Sequence, residues 1–465
     1  MPEPRWVRFR ARQAAKPGYS TAVLTVALLG LVASNFMVSV LAAVVGPLAE
    51  EFETTTATMI WVVLGPNLGF AVLAVTSGKL ADLYGRRTAF LVALFGSMIF
   101  GGLSALAWSP LSLIAFRTVS AIFGSATGPA GVAIVAAQYD RGQRIRIMGI
   151  WSFFMAVGPV AGIIVGGPVI DQFSWRWLFV AQVPLTLAAI VPAALILPDT
   201  PRLSDVRFDR IGTALLAAGS TMFLFTVNRG PLWGWSHPIL IALLVLTPLS
   251  FLAFYRQERR APVPLIPVTY FRQGNFALPL ASQFLIQFSY MGAGFVLAPL
   301  FLTEVLDYSA TRAALLVTSR PGLFAVAGIF LGFVGQRLGE RTLSIGGAIL
   351  VALSTFGLAF MSETIGDWFV FSTLGVAGFG LGLMMPSLTA AMTNAVRPED
   401  MAMAGGAQQM MMQMGTVAGI QILASIQVAR EAASGVQGSF AEAFIVGGGV
   451  AVVGALFSLG IHRTR

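Results

Sequence analysis

Long apolar runs broken by short polar loops recur along the whole chain. Each covers about 20 residues, the length a helix needs to cross the hydrocarbon of a bilayer. Fourteen are read, at about 21–47, 57–81, 88–107, 111–137, 146–170, 177–197, 208–228, 238–255, 276–302, 311–334, 342–361, 368–392, 402–428 and 440–461. None shows the ten-residue alternation of a barrel strand. The pattern predicts an all-α membrane protein with 14 transmembrane helices. No connection is long enough for a soluble domain.

Composition sharpens this picture. The chain is 56% hydrophobic and 11% charged, against about 25% charged for a soluble domain. It has no Cys, which excludes disulfides and thiolate metal sites. His237 and His462 are its only histidines and lie near run ends, so a buried histidine relay is not expected. Arg5, Arg8, Arg10, Arg12 and Lys16 precede a first run that is too long for a signal peptide. It reads as a retained span with a cytoplasmic N-terminus. All but six of the 29 Lys and Arg then fall on the cytoplasmic side. Arg176, Arg229, Arg312 and Arg430 lie outside, and Arg117 and Arg320 lie within spans. This follows the positive-inside rule and predicts a multi-pass cell-membrane protein with both termini cytoplasmic. The basic pI of about 10.6 is then topological, and no nucleic-acid partner is expected.

The two longest cytoplasmic connections, 197–210 and 255–276, are charged and Pro-rich, as linkers are. They bracket two runs and leave six on either side. The expected organisation is a basic N-terminus (1–20), a six-helix half (21–197), a two-helix insert with flanking linkers (198–275), a second six-helix half (276–461) and a short tail (462–465). The halves repeat. In "SGKLADLYGRR" and "LGFVGQRLGER" (331–341), Gly78 aligns with Gly332, Asp82 with Gln336, Gly85 with Gly339 and Arg87 with Arg341. Internal repeats of this kind mark secondary transporters.

These residues resemble a known family. "GKLADLYGRR" is similar to the signature loop between spans two and three of the major facilitator superfamily. "WRWLFVAQVP" (175–184) and "GPVAGIIVGGPVID" (158–171) resemble signatures of its fourteen-span drug:proton antiporter branch. The resemblance covers nearly the whole chain. It implies the major facilitator fold, multidrug efflux as an antiporter, and a gating loop of Gly78, Asp82, Gly85, Arg86 and Arg87. Asp82, near a helix end, can cap a neighbouring helix or pair with Arg86 or Arg87. The branch's glycine-rich fifth span corresponds to Gly158, Pro159, Gly162, Gly166 and Gly167, a packing face and hinge. Its usual central proline is replaced by Ile163.

The spans are informative for what they lack. All 20 acidic residues are read in loops or at span ends. The related family carries an Asp in the first span, nine residues before a closing proline. Here Pro47 closes the span and Val38 takes that place, with Asn35 and Ser39 nearby. Proton coupling therefore has no embedded carboxylate, and no cofactor or metal is expected. Arg117 matches the family's fourth-span Arg, and Arg320 precedes Pro321. Intramembrane Arg is costly and faces a cavity or a partner. Gln283 with Gln287, and Gln409 with Gln413, put amides four apart on one helix face. They serve substrate or bond neighbouring helices. With Asn35, Arg117 and Arg320 they form the expected substrate or coupling cavity.

The resulting expectation is a secondary active transporter exporting an amphiphilic small molecule or lipid by alternating access. Two embedded cations without acids favour anionic substrates. An uncoupled lipid translocator is the alternative. A membrane enzyme acting on lipids is disfavoured, because no H-x-x-x-H or D-x-D constellation occurs. Gly78-Lys79-Leu80 lacks the spacing of a P-loop. The partners expected are the substrate and the bilayer, with the protein a monomer.

Overall fold

The computed structural model describes residues 15–59, 61–200, 208–362 and 365–462. Side chains at 38–44, 46–47, 56–57, 160–168, 170–171, 310 and 336 are outside that description. So are the basic residues Arg5 to Arg12, half of the first linker (201–207) and the end of the tail.

The apolar runs fold as helices: α1 (Tyr19–Glu51), α2 (Thr56–Met59), α3 (Trp61–Tyr84), α4 (Arg86–Ser104), α5 (Pro110–Gly124), α6 (Thr127–Ala136), α7 (Arg141–Gln172) and α8 (Arg176–Ile196). They continue as α9 (Arg210–Trp233), α10 (Pro238–Glu258), α11 (Gly274–Met291), a π turn (Gly292–Leu297), α12 (Ala298–Glu304), α13 (Ala310–Val317), α14 (Ser319–Leu358), α15 (Asp367–Ala395) and α16 (Met401–Leu459). No strand occurs among the described residues. Local chemistry sets the ends. Ser109 and Ser112 form a reciprocal cap on α5 with Pro110 at its first position. Asp209 caps α9 through the Gly212 amide.

Twelve stretches among the described residues are long and apolar enough to cross a membrane, rather than the expected fourteen. The difference has two sources. The last stretch, Pro398–Leu459, covers 62 residues and holds the 59-residue α16, whose two helical segments meet at a kink at Gly435 (φ 71°). The middle of the 32-residue α7 is outside the described side chains.

The chain divides into two compact units. The first holds the described residues of Met1–Asp140, Phe154–Arg207 and Arg397–Gln409. The second holds those of Arg141–Phe153, Phe208–Val396 and Met410–Arg465, and so includes the two-helix insert. In the first unit, Phe36, Met37, Leu113, Leu178 and Phe179 form a core with Trp175. In the second, Phe288, Leu297, Phe301, Leu374, Phe440 and Phe444 do so. Helices there approach through small residues. Gly415 and Gly419, four apart on α16, lie against the Phe284 and Phe288 carbonyls of α11, and a Cβ at either glycine would overlap them.

Candidate functional site

The end of α3 carries the charge cluster singled out in the sequence. Gly85 turns the chain from α3 into α4 at φ 97°, a region that L side chains avoid. Asp82 and Arg86 face each other across this turn at 2.7 Å, and both are buried. Asp82 also accepts from the Met403 amide (2.8 Å) and the Ala402 amide (3.2 Å). These amides open α16, so the carboxylate occupies the positive end of that helix and satisfies donors that have no partner within it. Arg86 donates to the Pro398 carbonyl. Lys79 lies 3.0 Å from Asp400, with both side chains buried. Gly78 brings the α3 backbone against Ala402, and Gly406 meets Ala74 in the same way, so a Cβ at either glycine would strike backbone. All of these residues belong to the first unit.

Gly78, Asp82, Gly85 and Arg86 thus come together, and Asp82 takes Arg86 as its partner. Arg87 turns elsewhere, to Asp199 (2.7 Å) and the Ala194 carbonyl (2.5 Å) at the end of α8.

The second unit holds a related arrangement. Gly339, aligned with Gly85, also has positive φ (78°) and breaks α14. The next residue, Glu340, is buried and accepts from Asn394 (3.1 Å). Arg144 donates to Asn394 Oδ1 (2.9 Å) and to the Thr393 carbonyl (3.1 Å). The backbones of Gly149 and Gly328 touch. The side chain of Gln336, aligned with Asp82, is outside the described residues.

The expected cavity residues fall into two sets. In the first unit, Arg117 is 7% exposed and lies 5.5 Å from the centre of the Phe179 ring. Its Nε and Nη1 have no hydrogen-bond partner among the described residues. Asn35 donates to the Leu31 carbonyl one turn back (2.9 Å) and packs against Gly158 of α7. Pro159 is half-buried beside it, and the packing of Gly162, Gly166 and Gly167 is outside the described residues, as is the Val38 side chain. Gln409 is half-buried.

In the second unit, Arg320 lies 3.9 Å from the centre of the Tyr290 ring and donates to the Tyr290 carbonyl (2.6 Å). That carbonyl stands just before the π turn, the kind of widened turn that recurs at functional sites. Gly294 and Gly378 leave the room Arg320 occupies. Gln283 and Gln287 are buried, and Gln287 Oε1 has no hydrogen-bond partner among the described residues. Gln413 is half-buried.

Among the described residues, no three His, Cys, Asp or Glu gather as metal ligands would. The buried acids Asp82, Glu258, Glu340 and Asp400 all lie at or near helix ends or the Gly339 break.

Three groupings escape a reading of the sequence by spans. The first is the docking of 398–403 on α3. Its signal is present in "RPEDMA", with Pro398 and two acids opening a helix. The second is Arg144–Asn394–Glu340, which has no local signal because its members are far apart in the chain. The third explains the "WRW" signature. Trp175 and Arg176 both donate to Glu51, tying the start of α8 to the end of α1. Burial tends to raise the Glu51 carboxyl, but hydrogen bonds from Arg176 and Trp175 and the Arg176 charge outweigh it and hold it below the ordinary range.

The chain matches the family model described as Major Facilitator Superfamily over residues 27–272 and 280–465. It is 27% identical to the tetracenomycin C resistance and export protein of Streptomyces glaucescens, across 84% of this chain and 73% of that protein. It is 26% identical to the methylenomycin A resistance protein of Bacillus subtilis, across 86% of each. Among solved structures, the human organic anion transporter MFSD10 superposes with a TM-score of 0.69 at 15% identity, covering 95% of this chain and all of the other.

Proposed function

We propose, on the premise that the chain belongs to the Major Facilitator Superfamily, a family of membrane transporters and not of enzymes, that it is an efflux carrier for anionic amphiphilic molecules. Relatives named for antibiotic resistance and export support the direction. The observation that carries the substrate class is Arg117. A guanidinium buried within a span, with two N–H groups unpartnered among the described residues, is costly unless an acceptor joins it. A carboxylate, sulfonate or phosphate on an amphiphile supplies that acceptor. The apolar wall of Leu113, Leu178 and Phe179 in the same unit suits the rest of such a molecule. Arg320 is held by Tyr290 and has the weaker claim on substrate.

Fourteen crossings, as in the drug:proton antiporter branch, remain the preferred topology. Two features support it. Gly435 breaks the 62-residue apolar stretch near its middle, and α7, at 32 residues, is long enough to cross. With both termini cytoplasmic, the charged turn at Gly85 then faces the cytoplasm. We assign the Asp82 cluster the role of a gate: docked on α16 it favours one state of an alternating-access cycle, and undocking releases it.

A second reading, uncoupled translocation, is favoured by the placement of the buried acids at helix ends and the Gly339 break among the described residues. Flux in proteoliposomes tests both. An anionic amphiphile and a cationic dye are compared, with and without a pH gradient, in wild type, Arg117→Gln and Arg320→Gln. Anion flux that falls at least tenfold in Arg117→Gln and less in Arg320→Gln is the expected result. Cation flux that survives both substitutions overturns the substrate class. Indifference to the gradient selects the uncoupled reading.

A further inference from the structure

The two-helix insert carries a groove that nothing in the transport reading uses. Between α9 and α10 lies a cavity of about 270 Å³ lined by Leu215, Leu249, Leu252, Ala253, Arg256, Gln257 and Arg260. Its floor is aliphatic. Leu249 and Leu252 are 53% and 44% exposed, and only 22% of the apolar window of α10 is buried. This side of the helix has no protein covering it among the described residues and lies at a depth where acyl chains are the solvent.

The end of the groove is cationic. Arg256 lies in the last turn of α10 and Arg260 in the turn just past its end; both line the cavity and both are exposed. The acid of this run, Glu258, is 3% exposed and faces away, where it accepts from the Ile266 amide at 3.0 Å. Asp209, the other acid nearby, is engaged by the Gly212 amide (2.8 Å) and by Gln257 (3.2 Å). With both carboxylates occupied, the groove mouth presents guanidinium groups.

We infer that this groove binds one anionic phospholipid, its acyl chain along Leu215, Leu249 and Leu252 and its phosphate on Arg256 and Arg260. An aliphatic trough running into a cation pair matches a molecule that is apolar along its length and anionic at its end. Free phosphate meets only the mouth, and a zwitterionic lipid brings its own cation to the same two arginines. The inference rests on the membrane-spanning reading alone and is read out as binding, so it stands or falls separately from the substrate of transport.

The test titrates phosphatidylglycerol onto the full chain in phosphatidylcholine nanodiscs, with native mass spectrometry counting retained lipids. Wild type is expected to retain one phosphatidylglycerol that R256Q/R260Q binds about 30-fold more weakly. Leu252→Trp, which fills the trough and leaves the charge, is expected to lose the same lipid. Arg259→Gln removes the same single charge as R256Q or R260Q alone, next to the groove but outside its lining, and is expected to change nothing. Melting temperatures in phosphatidylcholine alone show that the variants are folded. A loss in R259Q equal to that in R256Q or R260Q alone would reduce the effect to surface charge and overturn the site. Displacement by millimolar inorganic phosphate would overturn the lipid in favour of a free anion. Retention in L252W would overturn the acyl trough.

Discussion

Replacing Asp82 by Asn tests the proposed gate at its centre. The carboxylate accepts from the Ala402 and Met403 amides and from Arg86, all buried. An asparagine keeps one acceptor oxygen and turns an NH₂ group toward these donors. One N–H or the guanidinium is then left facing a donor, and the Arg86 charge loses its carboxylate. Breaking a buried pair costs about 3–5 kcal/mol. The remaining oxygen and the Pro398 carbonyl beside Arg86 hold the estimate near the lower end, about 3 kcal/mol or roughly a hundredfold in a docking equilibrium. The assay uses the absence of native cysteine. Ala404, fully buried in the docked segment of α16, is changed to Cys and labelled with a water-soluble maleimide. D82N is expected to label up to about a hundredfold faster than wild type, at a melting temperature that shows it folded. R86Q/D82N is expected to label more slowly than the sum of the single effects predicts, because the stranded charge is gone. A folded D82N that labels at the wild-type rate, or strict additivity in the double variant, would refute the reasoning.

Two further substitutions probe the frame around this gate. Gly85→Ala forces a Cβ into the left-handed region at φ 97° and is expected to cost about 1–2 kcal/mol, seen as a lower melting temperature. Gly128→Ala, in α6 with open space at its Cβ position, is expected to be neutral or stabilising, so an equal loss at both sites would show that φ is not the cause. Glu51→Gln is expected to lower the melting temperature at neutral pH. Glu51 is held below its ordinary value of 4.5, so its contribution is present above that pH and fades as pH falls through its lowered value. The gap between wild type and E51Q should therefore close in thermal scans carried below about pH 4; a gap of constant size would show that the carboxylate charge is not involved.

Helices were legible along most of the chain because bilayer thickness imposes one length on every apolar run. Counting them was harder near the end of the chain: within Met401–Leu459 the backbone leaves helical geometry only at Gly435 (φ 71°), a kink where the hydropathy predicts a loop. The turn at Gly85 and its echo at Gly339 were legible as a repeat, and both adopt positive φ. Partners were less so. Asp82 could be read as a helix cap, but which helix it caps depends on a segment 320 residues away. Arg117 and Arg320 looked alike in sequence, as lone cations in apolar runs. The structure separates them, because a π turn and two glycines make a seat for Arg320 at Tyr290, and no comparable acceptor reaches Arg117 among the described residues.

The repeat also separates backbone from chemistry in the proposed gate. Both units place a positive-φ glycine at the turn and bring helix backbones together at small residues, Gly78 with Ala402 in one and Gly149 with Gly328 in the other. The acids are placed differently. In the first unit a carboxylate on the turn holds the amides of a helix start. In the second, the acid follows the glycine, and Asn394 stands between Glu340 and Arg144. A carboxylate bound to a helix N-terminus and a guanidinium is held by charge and helix dipole together, whereas the Asn394 bridge works through a neutral amide. Two turns of one geometry therefore differ in how their acid is used: Asp82 takes a guanidinium and two helix amides directly, and Glu340 accepts from the Asn394 side chain.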